Sequence, residues 1–135
     1  MKKLKTLIVS AAIAASLTLT PMLKAEDVSL KAPDYKPLSN IIGQEFKNYP
    51  TQDGMWPCVV FPYDRNEDGK KDLVEVRRMT LNQNKDPIWE ENPYVLIVDD
   101  DFDGLADRIL VDVERDGKFD QGQDIKSKKI SMEQY

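Results

Sequence analysis

The sequence predicts a small, mainly β protein: two antiparallel strand–loop–strand hairpins with a short N-terminal helix, a small α+β arrangement being the alternative. Three observations carry this. Runs rich in β-branched and aromatic residues lie at 56–61, 73–79, 94–98 and 108–111, each strand-sized. Acidic segments containing Asp-Gly, the dipeptide of tight turns, join these runs in pairs. The pattern also repeats, since Asp64 and Asp99 open equivalent segments 35 residues apart.

Taken in order, residues 1–25 read as a signal peptide. Lys2, Lys3 and Lys5 form a basic head, an apolar run extends from Leu7 to Thr20, and Ala25 supplies the small residue before the expected cut. The run is short for a bilayer span, which takes about 20 residues. An uncleaved anchor is the alternative, and no cysteine follows the run to carry a lipid. The expected location is periplasmic or secreted, and the protein is not expected to be an integral membrane protein.

Residues 26–54 form a polar segment punctuated by Pro33, Pro37 and Pro50. Within it, Leu38, Ile41, Ile42 and Phe46 fit one face of a short amphipathic helix. Residues 55–135 make the β domain. Its strands flank the acidic loops, with the polar stretch 80–93 joining the two hairpins.

The loops carry the chemistry. The first holds Asp64, Asn66, Asp68, Gly69 and Asp72; the second, Asp99, Asp101, Asp103, Gly104 and Asp107. The third holds Asp112, Glu114, Asp116, Gly117 and Asp120. Ca2+ takes 6–8 oxygen ligands in flexible geometry, and oxygens at positions 1, 3 and 5 of a curled loop converge on one point. Glycine at position 6 permits the sharp turn that brings in position 9 and the carbonyl of position 7, here Lys70, Leu105 and Lys118. The expected cofactor is therefore Ca2+, two or three ions, ordering the loops. Glu75, at position 12 of the first loop, is a further candidate ligand, whereas Asp100 and Asp124 read as solvated neighbours.

The first loop matches a helical EF-hand loop in spacing, but its flanks do not. Pro57 and Pro62 precede it, and Leu110 and Gln123 stand at position 12 of the other two copies. The pattern D-x-[DN]-x-D-G-x-x-D-[LI] resembles the calcium loops of FG-GAP and VCBS-type repeats, which join antiparallel strands. Residues 64–73 fit it throughout. The second copy departs in having Arg108 at the apolar position, and the third in having Glu114 and Gln121. The resemblance implies ligands at positions 1, 3, 5 and 9 plus the position 7 carbonyl. It does not extend to the families' multi-bladed propeller, for which the chain is too short.

Geometry adds an expectation. At about 3.3 Å per residue, the strand at 108–111 separates the second and third loops by roughly 13–17 Å. An up-and-down meander then places loops one and two at the other end together.

Composition narrows the function. With 24 acidic against 19 basic residues the net charge is −5, and without the four lysines of the signal peptide it is −9. That disfavours nucleic acid and suits cations or a basic protein surface. Cys58 is the one cysteine, so no internal disulfide can form. The absence of histidine removes most imidazole acid–base and triad chemistry, and no enzyme is expected. Trp56, Phe61, Trp89 and Tyr94 read as packing residues, a carbohydrate platform being the lesser reading. The leading expectation is an exported calcium-binding β domain. The alternative is an adhesion or inhibitor-like module that binds a protein or glycan, with calcium only structural; a hydrolase accessory domain ranks third.

Overall fold

A computed structural model describes residues 29–51 and 53–135; the expected signal peptide lies outside the described residues. Among the described residues seven strands form: β1 (Glu45–Thr51), β2 (Gly54–Tyr63), β3 (Leu73–Leu81), β4 (Pro87–Trp89), β5 (Val95–Val98), β6 (Arg108–Val111) and β7 (Gln121–Asp124). All pairings are antiparallel, in the order β1-β2-β3-β5-β6-β7, with β4 pairing on β3. β5 covers the first half of β3 and β4 the second, through Val76↔Val95 and Met79↔Trp89. The architecture is thus mainly β, an up-and-down meander.

Three strand–loop–strand units are present rather than two. The third loop returns as β7, whose Gln121-Gly122-Gln123-Asp124 carries no apolar alternation. Tertiary pairing with β6 makes this strand, which intrinsic propensity does not favour. The stretch between the hairpins likewise contains β4, pinned by Pro87↔Leu81.

The helix expected at 38–46 does not form. Leu38 and Asn40 adopt positive φ of 64° and 56°, Ile41 bridges to Tyr63, and Phe46 lies in β1. A helix this short is marginal alone, and β2 offers its backbone groups other partners. The Ile42 amide donates to the Pro62 carbonyl, and the Asp64 amide to the Asn40 carbonyl. Residues 45–51 and Gly54 therefore belong to the sheet. Among the described residues the only helical turns are two 3-10 turns, Lys126–Lys128 and Met132–Gln134, and no helix is long and apolar enough to cross a membrane.

The pleat sends alternate residues to opposite faces, and here both faces are apolar. On the first, Val60, Val74, Val76, Val95, Ile97 and Ile109 pack beneath Ile125, Met132 and Tyr135 of the C-terminal segment. On the second, Val59, Phe61, Tyr63, Leu73, Leu96 and Leu110 pack beneath Leu30, Tyr35 and Ile41 of the N-terminal segment. The continuous apolar run of β5 reflects that two-sided burial.

Two buried arginines sit on β3. Arg77 pairs with Glu75 (Nε to Oε1, 2.8 Å) and donates to the carbonyls of Glu90 and Glu91. Arg78 points to the other face, its guanidinium 4.4 Å from the Tyr94 ring centroid and 5.3 Å from that of Trp56. Beside it, burial pushes the Cys58 thiol up to about 12.

Leu110 is fully buried on β6, between the sheet neighbours β5 and β7. Leu110→Ala is expected to cost about 2–5 kcal/mol of folding stability, measured by urea denaturation.

Candidate metal centres

All three acidic loops adopt one backbone conformation. Position 4 is left-handed in each, at Glu67 (φ 60°), Phe102 (59°) and Arg115 (60°). The glycine at position 6 follows at φ 85°, 88° and 90° for Gly69, Gly104 and Gly117, where a side chain would be strained. The amide at position 9 closes each loop onto the strand before it: Asp72 to Tyr63, Asp107 to Val98 and Asp120 to Val111, at 2.8–3.1 Å.

The carboxylates help to make that conformation. The position 1 side chain accepts from the amides of positions 5 and 6. Asp64 bonds Asp68 and Gly69, Asp99 bonds Asp103 and Gly104, and Asp112 bonds Asp116 and Gly117, all at 2.7–3.2 Å. The position 5 side chain accepts from the position 7 amide: Asp68 from Lys70, Asp103 from Leu105, and Asp116 from Lys118. Those position 5 amide bonds hold Asp68 and Asp103 below the usual carboxylate range.

The loops differ in how their side chains gather. In the second, Asp99, Asp101, Asp103 and Asp107 each bring one oxygen within 4.8 Å of the others. In the third, Asp112, Asp116 and Asp120 do the same, while Glu114 stands outside that group. Oxygens around one Ca2+, each about 2.3–2.6 Å from it, are separated by at most about 5 Å, so both groups fit a single ion. The acids of the first loop form no such group. There Asp72 is held by Arg65, whose Nε lies 2.6 Å from Oδ1.

Glu75 is not part of the first loop's acid set. It is fully buried, with Tyr63 and Arg77 on Oε1 and Tyr35 and Arg77 on Oε2. In a strand, position 12 faces the sheet's second core and not the turn, which is why the EF-hand spacing misleads here. Asp100 is also more than a solvated neighbour: both its oxygens hold Arg108, at 2.8 and 3.0 Å. Arg108 in turn donates to the carbonyls of Ser29 and Lys31, tying the second loop to the N-terminal segment. The departure of Arg108 from the apolar pattern was the visible sign of this role. Asp124 accepts from the Lys126 amide two residues on.

Loops one and two lie side by side, joined by the Asp99 amide to the Asp72 carbonyl at 3.0 Å. Loop three sits at the opposite end of β6, as the antiparallel order requires. The second loop is braced from the other side as well. Met132 donates to Gly104, Ala106 to Ile130, and Ile125 to Asp107.

Crowding leaves an electrostatic cost. Burial, with Asp101 and Asp103 beside it, pushes Asp99 up to about 6, and burial also raises Asp107 and Asp112. Comparisons of the chain with protein-family models, with curated proteins and with solved structures give no match.

Two outcomes follow. Glu75→Gln leaves Arg77 buried without a counter-charge, and is expected to cost about 3–5 kcal/mol in urea. Asp99 binds its proton more tightly folded than unfolded. Its contribution in EDTA is therefore complete below about pH 4 and lost as pH rises through about 6. Melting curves in EDTA should show wild type gaining on Asp99→Asn as pH falls from 7 to 5.

Proposed function

We propose that this chain is a calcium-binding β domain in which Ca2+ fixes the acidic turns between strands. The observation that carries this reading is the convergence of Asp99, Asp101, Asp103 and Asp107 in a loop already closed by its own amides. Four carboxylates and no nitrogen or sulfur donor make a hard-cation site. A flexible oxygen loop suits Ca2+ better than Mg2+, which demands near-ideal octahedral geometry and gives up its water reluctantly. The third loop repeats the arrangement with Asp112, Asp116 and Asp120. The expected export of the chain is in keeping, since such sites serve extracellular modules at high calcium.

The activity assigned is binding, not catalysis, on the ground that the chain has no histidine and its convergent acids stand at metal-ligand spacing. A second reading, an adhesion or inhibitor-like module in which calcium is only structural, is favoured by one feature. Phe46, Met55 and Leu81 stand 60–65% exposed, and strand alternation places all three on the second face.

Thermal unfolding in EDTA, in millimolar Ca2+ and in millimolar Mg2+ tests the reading. Ca2+ is expected to raise the melting temperature well beyond Mg2+, because a ligand that binds only the folded state stabilises it. Asp101 is exposed, so Asp101→Ala should weaken the calcium effect and leave the EDTA melt nearly unchanged. Equal melting in EDTA and Ca2+ would reduce the loops to acidic turns.

A further inference from the structure

Position 2 differs in each loop, being Arg65, Asp100 and Val113, although the three backbones are alike. We propose that Arg65 is the resident cation of the first loop, taking the place that Ca2+ takes in the other two and coupling the first loop to the second. This rests on reading loops two and three as calcium sites.

The comparison among the loops is internal to the molecule. In each, the position 9 carboxylate accepts from the position 2 amide: Asp72 from Arg65, Asp107 from Asp100, and Asp120 from Val113. In the first loop alone the position 2 side chain then takes the other oxygen, Arg65 Nε lying 2.6 Å from Asp72 Oδ1. Asp100 instead turns to Arg108, and Val113 packs against the core. Both oxygens of Asp72 thus accept bonds, as do both oxygens of Asp120 from the Val113 and Glu114 amides, but of these two only Asp72 is paired with a cation.

Charge agrees with that assignment. The first loop carries an amide, Asn66, where the others have Asp101 and Glu114, so it has one fewer negative charge to balance. The Arg65 and Asp72 side chains are 15% and 4% exposed, which shields their pairing from solvent and salt. The same guanidinium reaches across to the second loop. Its Nη2 donates to the Asp99 carbonyl at 3.0 Å, and its carbon lies 4.9 Å from the Phe102 ring centroid. One fixed positive charge thus serves the first loop and steadies the entry of the second. Ca2+ in the first loop competes with the Arg65 guanidinium for Asp72, so wild type holds two ions tightly and a third weakly or not at all.

Calorimetric titration of the purified protein with CaCl2 tests this in wild type, Arg65→Gln and Arg65→Val, the last taking the residue type of the third loop. Each variant is expected to gain a third ion, or to tighten the weakest site about tenfold or more, since a charge-assisted bond no longer opposes it. In EDTA both variants should melt below wild type, with Ca2+ closing the gap, a recovery that a merely structural loss does not show. Three tight sites in wild type, or no gained or tightened site in either variant, overturns the proposal. If wild type binds no Ca2+, the calcium reading itself fails. The proposal falls with it, whereas calcium binding without a gained or tightened site in either variant overturns the proposal alone.

Discussion

Carboxylates gathered within the radius of one cation repel each other, and this structure gathers them twice in the 22 residues between Asp99 and Asp120. Each gathering is held by backbone amides. The position 1 and position 5 aspartates are acceptors for the turn they sit in. What remains uncompensated is charge. The upward displacement of Asp99, caused first by burial and then by its acidic neighbours, is in keeping with that imbalance. A divalent cation is the simplest remedy at loops two and three; at loop one a guanidinium is already present.

The sheet is the frame on which this tension is mounted. An antiparallel meander sends successive turns to alternate ends, so neighbouring hairpins place loops one and two together and the third across the length of β6. Both faces of a single sheet must then be covered. The described residues before β1 and the segment after β7, which holds two 3-10 turns, do this, each tied down by a few long-range bonds. Arg108 holds Ser29 and Lys31, Tyr35 reaches Glu75, and Met132 reaches Gly104. Cover and loops are therefore not independent, because Arg108 follows a loop residue and Met132 bonds another.

Arginine recurs at these junctions for a physical reason. A planar guanidinium satisfies several acceptors at once and loses less on leaving water than an ammonium does. Arg65 joins two loops, Arg77 neutralises Glu75 and clasps the chain at Glu90 and Glu91, and Arg108 joins a loop to the N-terminal cover. Arg78 takes the other route, packed against the rings of Trp56 and Tyr94.

Strand identity at 56–61, 73–79, 94–98 and 108–111, the acidic loops and their glycines were legible from local pattern, because turn chemistry and β-propensity act over a few residues. Three features were not. The helix expected at 38–46 gave way to bonds with Tyr63 and Pro62, partners 20 or more positions away. The polar β7 exists because β6 needed a neighbour. Glu75 has loop spacing but strand geometry, and its fate was decided by Tyr35 and Arg77 around it. The sequence by itself determined where the acids converge along the chain. The tertiary structure decided which acids are free to meet an ion, since that depends on the side chain that reaches each carboxylate first, and Arg65 reaches Asp72.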